Sequence, residues 1–307
     1  MSCPTIIRAA PTSASRIGTT KPGVRRRRTG GSLATEPGGR FDATLAAAQS
    51  AARATLGARP AGLLTDLDGT LAPIVAVPSE ARPVDGAVEA LATLSGQLAV
   101  VGLVSGRSAL DVRERLGDEG RPLLIIGNHG LEWLEPGADA PTEHPAFAEA
   151  HAAVAAAVAQ VPRGDGIAVE DKGLSATVHY RGAVVPGTAR KTILEALEPA
   201  RAAGLEIREG RLSVEIRPAR LGDKGTAVRR VVERFGLRGL VVAGDDRTDL
   251  DMFAAARELA DSGMLRVSVL AVAGAGEVPA EVSAAADVTL SDPSAFAALL
   301  DRLAGSE

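Results

Sequence analysis

A doubly wound α/β domain interrupted by a small α+β lid is the architecture this sequence predicts, on three observations. Short apolar runs recur between helix-like stretches, the middle of the chain switches to strict apolar/polar alternation, and the apolar runs then resume. Apolar runs bounded by Gly, Asp or Ser suit parallel strands buried on both faces, whereas alternation suits a sheet with one wet face.

Taken in order, residues 1–40 are rich in Pro, Gly, Ser, Thr and Arg, carry the run Arg25 to Arg28 and hold a single acid, Glu36. Without hydrophobic periodicity, this stretch is expected to be a disordered basic leader. Phe41, Leu45, Ala48, Ala52 and Leu56 fall at helical spacing and predict a helix over 42–57 that opens the core. Strands are expected at Gly62–Thr65, Leu98–Val104 and Leu123–Ile126, so that 41–128 forms the first part of the core. Phe147, His151, Val154 and Val158 mark a helix, and Leu174, Ala176, Val178 and Tyr180 alternate with Ser175, Thr177, His179 and Arg181. After a second helical stretch over 188–203, Leu212, Val214 and Ile216 alternate with Ser213, Glu215 and Arg217, which makes 129–219 the lid. Leu240–Ala243 and Val267–Val272 restore the buried-strand pattern, and 220–307 completes the core.

Composition narrows the function classes. The net charge is −4 and aromatics make up 2% of residues, which argues against a nucleic-acid surface of basic patches and stacking rings. The single cysteine, Cys3, permits no intrachain disulfide and no thiolate metal site, in keeping with a cytoplasmic setting. No apolar stretch approaches the roughly 18 residues a membrane span requires.

The chemistry-bearing residues follow the strands. Leu63 to Thr65 run into Asp66-Leu67-Asp68-Gly69-Thr70, so a buried strand ends in two carboxylates one residue apart. Such a pair can divide labour: one attacks phosphorus, the other protonates the departing oxygen and later activates water. The same crowding suits a hard cation such as Mg²⁺. Ser105-Gly106-Arg107 joins a strand end to a helix and offers a hydroxyl and free N–H groups to an anion, or is an ordinary cap. Lys224, at another helix start, can place a point charge on a phosphoryl group, although a lone lysine there is commonly solvated. Gly244-Asp245-Asp246-Arg247-Thr248-Asp249 crowds three acids at a strand end, an arrangement that repels itself without a cation. Ligands of open α/β sheets bind beyond the carboxyl ends of the strands, where all these motifs fall.

This ordered set resembles the haloacid-dehalogenase phosphatases, and within them the trehalose-phosphatases, over nearly everything from residue 60 onward. Thr65 through Ile74 looks like that family's opening motif, Val104 to Arg107 its second and Gly244 to Asp249 its fourth. Glu170-Asp171-Lys172, His179-Tyr180-Arg181 and Glu215-Ile216-Arg217-Pro218 look like its sugar-gripping elements.

The resemblance implies a Rossmann-like core with an inserted α+β cap and an Mg²⁺-dependent hydrolysis of trehalose 6-phosphate through a phosphoaspartate. It assigns Asp66 as nucleophile and Asp68 as general acid and base. Ser105, Gly106 and Lys224 hold the phosphoryl group, and Asp66, the Asp68 carbonyl and Asp245 hold Mg²⁺ with Asp246 and Asp249 behind them. It names Glu170, Lys172 and Glu215 as sugar contacts, with Asn128 and His129 at the hinge side of the cleft and a trehalose-6-phosphate synthase as a functional partner.

The alternation places His179, Arg181, Glu215 and Arg217 on polar strand faces independently, where they would either grip sugar or face solvent. His129 could instead serve only its turn, and Trp133 reads as core. The chain departs from the family pattern at Leu250, where an acid is common, and at Arg211, where a Lys is common. These departures leave room for another ester, such as mannosyl-3-phosphoglycerate, sucrose 6-phosphate or a hexose phosphate. A catalytically silent sugar-phosphate sensor, or a nucleic-acid binder using the Arg run, would be a different class of protein.

Overall fold

The computed structural model describes residues 37–75, 77–144, 146–164, 166–171, 173–210, 212–218, 222–274 and 278–305. The leader through Glu36, with Cys3 and the Arg run, lies outside the described residues, as do Lys172 and Arg211.

The chain begins its described fold with α1 (Pro37–Leu56), β1 (Ala61–Thr65), α2 (Ala87–Ser95), β2 (Val100–Val104), α3 (Ala109–Leu116), β3 (Leu124–Gly127), β4 (Glu132–Leu134) and β5 (Thr142–Glu143). An inserted unit follows: α4 (Ala146–Gln160), β6 (Ala168–Asp171), β7 (Ala176–His179), α5 (Pro186–Ala202), β8 (Leu205–Gly210) and β9 (Ser213–Pro218). The remainder is α6 (Lys224–Phe235), β10 (Gly239–Gly244), α7 (Leu250–Asp261), β11 (Arg266–Val272), α8 (Ala280–Ala285), β12 (Val288–Leu290) and α9 (Pro293–Ala304).

The large sheet has the order β12-β11-β10-β1-β2-β3-β4-β5. It is parallel from β12 to β3, and the β3–β4 and β4–β5 pairings are antiparallel. Successive residues of each parallel strand point to opposite layers. Leu63, Leu103, Ile125 and Val241 pack with Leu45 of α1, Leu91 of α2 and Phe296 of α9. Their neighbours Leu64, Val104, Ile126 and Val242 pack with Val228 of α6 and Phe253 of α7. Helices on both faces explain why these strands read as unbroken apolar runs.

The second sheet, β6-β7-β9-β8, is antiparallel throughout. Ala176, Val178, Val214 and Ile216 bury one face against Val154 and Ala157 of α4 and Ile193 and Leu197 of α5. The opposite face carries the polar partners of the alternation, and a small cluster of Leu131, Ala150 and Leu174 ties this cap to the core.

Four expectations change, the first being that α1 already begins at Pro37, inside the span 1–40 expected to be leader. The span 129–219 was expected to be cap throughout, yet β4 and β5 extend the core sheet. Trp133 and Leu134 enter the two core layers on opposite sides of that sheet, which is what draws the segment into it. Trp133 is core, as expected, with the Arg230 guanidinium 4.6 Å above its ring. The strand carrying His179 stops there, so Arg181 lies in the following turn, exposed rather than on a strand face. Leu212 belongs to no buried face: it precedes β9 with φ 57° and is 36% exposed. No helix among the described residues is long and apolar enough to cross a membrane.

Candidate active site

The order β10-β1-β2 sets three strand ends side by side, so Asp245, Asp66 and Ser105 emerge together at the carboxyl edge of the sheet. Asp66 is buried at 6% exposure; its Oδ1 accepts the Leu67 N–H at 2.7 Å, and its Oδ2 lies 2.9 Å from Lys224 Nζ. Gly69 turns the chain immediately afterwards at φ 81°, and a Cβ there would stand 2.0 Å from Asp245 Oδ2. Gly274 closes on the same carboxylate, since its Cβ would stand 2.7 Å from that oxygen. Only residues without side chains leave this space free.

Lys224 is the first residue of α6 and is 2% exposed, which excludes the solvated-lysine alternative. Its ammonium lies between Asp249 Oδ1 at 2.7 Å and Asp66. Asp249 is fully buried, and its Oδ2 accepts the N–H groups of Asp245 at 2.9 Å and Asp246 at 3.2 Å. Both its oxygens are therefore engaged, and it braces the site. Asp246 is exposed and accepts from the N–H and hydroxyl of Thr248, so its carboxylate caps a helical turn.

The charges do not balance. Burial alone would lower the Lys224 pKa, but Asp249 and Asp66 prevail and hold it well above its usual value. Burial pushes the Asp66 carboxyl upward, aided by Asp249 and Asp245 against the pull of Lys224. Asp245 is pushed up to about 7 by burial and by Asp249 and Asp246. One oxygen each from Asp66, Asp245 and Asp249 falls within 4.8 Å of the others. An all-oxygen set short of positive charge fits a hard divalent cation.

On the other side, Ser105 is buried and its Oγ accepts the Arg107 N–H at 3.2 Å. Arg107 grips Asp68 through two hydrogen bonds, Nε to Oδ2 at 2.5 Å and a second to Oδ1 at 2.8 Å, and a third of 3.0 Å reaches Asp111. A Cβ on Gly106 would lie 2.9 Å from the His129 ring, so that glycine makes room for the imidazole. Asn128 and His129 both adopt left-handed φ, 47° and 56°, an uncommon conformation for side-chain-bearing residues that clusters at functional sites.

Burial lowers the His129 pKa to about 4, with Lys224, Arg217 and Arg208 adding to the fall and Asp246 opposing it. In the unfolded chain His129 takes up a proton near 6.5, but in the folded one only near 4, so acid favours unfolding within that window. Wild type should therefore lose Tm between pH 6.5 and 4 more steeply than His129→Asn. This single site supplies at most about 1.4 kcal/mol per pH unit, and equal slopes would count against a buried neutral imidazole.

A cleft of ≈ 1170 Å³ separates this edge from the cap. Asn128 and His129 line it from the core, and Glu206, Arg208, Glu215 and Arg217 from the cap. Glu206 accepts from both arginines, at 2.6 Å from Arg208 and 2.8 Å from Arg217. Glu206 and Arg208 were not singled out in the sequence, although their alternation with Leu205 and Ile207 carries the same signal as that of β9. Glu170 and His179 share the cap's polar face but pair with each other at 3.3 Å, on strands farther from the cleft than β8 and β9. Neither they nor Arg181 line the cleft.

The family model described as trehalose-phosphatase matches residues 64–289. A protein of Mycobacterium tuberculosis described as an uncharacterized glycosyl hydrolase is 39% identical over 218 residues, which is 67% of this chain and 16% of that one. A trehalose-phosphate phosphatase of Mycobacterium avium is 36% identical over 217 residues, 66% of this chain and 53% of the relative. The chain thus spans about half the length of such phosphatases and a small part of the hydrolase. Among solved structures, the Aspergillus fumigatus trehalose-6-phosphate phosphatase is 26% identical with a TM-score of 0.58, covering 85% of this chain and 98% of that one. The C-terminal domain of the Candida albicans trehalose-6-phosphate phosphatase shares the fold at 22% identity, with a TM-score of 0.59 over 86% of this chain and 97% of that one.

Proposed function

Because this chain belongs to the trehalose-phosphatase family, we propose that it hydrolyses trehalose 6-phosphate to trehalose and phosphate with Mg²⁺. The observation that carries this reading is Asp66, buried against the Lys224 ammonium and clustered with Asp245 at the strand ends, where the neighbouring Asn128, His129, Asp223 and Thr248 line the cleft under the polar face of the cap.

A substrate phosphate entering the cleft meets Lys224 and the Ser105–Gly106 loop, which orient it towards Asp66. An Asp66 oxygen attacks phosphorus, the bond to the sugar oxygen breaks, and Asp68 gives that oxygen its proton. Asp68 then takes a proton from water as the water oxygen attacks the phosphoaspartate, which releases phosphate and restores Asp66. Asp66, Asp245 and the Asp68 carbonyl would hold Mg²⁺, with Asp249 behind them, and the ion would supply positive charge to the transferring phosphoryl group. Arg107 binds both Asp68 oxygens in the absence of substrate and has to yield one of them for Asp68 to carry and donate the proton. The polar face of the cap supplies donors and acceptors to the two sugar rings, with Glu215 foremost, and excludes water while the cleft is closed. A synthase supplying trehalose 6-phosphate is the functional partner this reading implies. A cytoplasmic setting accords with the single cysteine of the sequence.

The test is phosphate release with Mg²⁺ from trehalose 6-phosphate, glucose 6-phosphate, sucrose 6-phosphate and mannosyl-3-phosphoglycerate, repeated with a chelator. Preference for trehalose 6-phosphate, abolished by chelation, is the expected result. Preference for another ester reassigns the cap, and no release from any ester turns the reading to a silent sensor. Glu215→Ala should lower kcat/KM for trehalose 6-phosphate by about 10²-fold while changing that for p-nitrophenyl phosphate little, because only the disaccharide spans the cleft. Equal losses on both esters would remove Glu215 as a sugar contact.

A further inference from the structure

The phosphate-gripping loop rests on a buried acid that no step above uses. Glu132, on β4, is 6% exposed, and its Oε2 accepts the backbone N–H of Ala109, the first residue of α3, at 2.6 Å. Burying a carboxylate is costly unless its charge is met, and the first N–H groups of a helix meet it.

The surrounding geometry shows what that bond secures. Glu132 pairs across the sheet with Gly127, and a Cβ on Gly127 would stand 2.3 Å from Ala109 N and 2.9 Å from Arg107 O. The backbone of 107–109 therefore lies directly on a bare glycine, and the Glu132 side chain reaches to its far end. The near end is held by backbone bonds: Ser105 N–H to Ile126 O at 2.9 Å, Asn128 N–H to Arg107 O at 2.8 Å and His129 N–H to Ser105 O at 3.0 Å. Ser105, whose hydroxyl accepts the Arg107 N–H, and Arg107, with its grip on Asp68, are held at the near end by these bonds, and Glu132 holds the far end.

We propose that Glu132 is a positioning residue for phosphoryl transfer: by accepting the Ala109 N–H it fixes the start of α3, and through it Ser105 and Arg107. The proposal rests on the phosphatase reading. Glu132 touches neither substrate nor metal ligand, and what matters is an acceptor oxygen at the right reach rather than a negative charge. That separates it from a generic helix-terminus effect, in which charge is what counts.

The test compares wild type with Glu132→Gln, Glu132→Asp and Glu132→Ala in the full chain with Mg²⁺, on p-nitrophenyl phosphate and trehalose 6-phosphate, with Tm as the check on folding. The glutamine variant keeps an acceptor at the same reach and should retain activity within about threefold. The aspartate variant keeps the charge but is a methylene short. It and the alanine variant should lose about 10- to 10²-fold in kcat/KM by the same factor on both esters, the size of loss that misplacing a catalytic group by up to about 1 Å brings. The Ki of inorganic phosphate should rise in that same order.

Glutamine as impaired as alanine, aspartate as active as wild type, or a loss confined to trehalose 6-phosphate would each overturn the proposal. Should alanine fail to fold, the glutamine and aspartate pair decides it. Wild type that cleaves only p-nitrophenyl phosphate refutes the substrate reading and leaves this comparison intact. Should neither ester be cleaved, the Tm shift on adding inorganic phosphate reads the same order without turnover.

Discussion

Asp66→Asn should abolish phosphate release, by at least about 10⁴-fold, while the protein stays folded. The amide is nearly isosteric with the carboxylate but cannot form the phosphoaspartate, and removal of a covalent nucleophile commonly costs this much or more. Folding should survive because Lys224 keeps its shorter contact, 2.7 Å to Asp249, and the substitution removes a carboxylate already pushed upward in pKa by its burial. Phosphate release and the far-UV spectrum measured on the same sample decide it. Residual turnover within tenfold of wild type would remove Asp66 as nucleophile, whatever the family resemblance.

Lys224→Met should be damaging in a different way. The thioether fills a similar volume but leaves Asp249, which is fully buried, and Asp66, 6% exposed, without their shared ammonium. Breaking a buried pair by removing one partner costs about 3–5 kcal/mol, on the order of 10 °C in Tm for a protein of this size. Turnover should fall with it, since the phosphoryl group loses its point charge. Because the stranded carboxylates include Asp66, proposed to hold Mg²⁺, added Mg²⁺ should raise the Tm of the variant more than that of wild type. A variant as stable as wild type in the absence of the ion would show that Asp249 and Asp66 do not depend on Lys224 for charge compensation.

Asp66, Asp68, Ser105, Lys224 and Asp245 were legible in the sequence because each stands where an apolar run ends or a helix begins, and chain position alone carries that signal. The polar face of the cap was legible for the same reason. Val214 and Ile216 are buried against the cap helices, while Glu215 and Arg217 line the cleft, as strict alternation requires.

Contacts between residues distant in sequence were not legible. Nothing near Lys224 in the sequence shows that it is clamped between Asp66 and Asp249 rather than solvated. Nothing near Gly274 or Glu132 shows that one clears space for Asp245 and the other anchors Ala109. Alternation likewise put Arg181 on the same face as His179, but parity holds only while the strand lasts, and β7 ends at His179.

The sequence by itself determined the buried parallel strands of the core, the apolar and polar faces of β7 and β9 and which acids end up at strand carboxyl ends, because those follow from side-chain periodicity along a single segment. The tertiary structure alone decided which acid is compensated by which base, which glycine must be bare and which strands of the cap reach the cleft. Those outcomes depend on the packing of segments separated by many residues, a distance across which local periodicity carries no information.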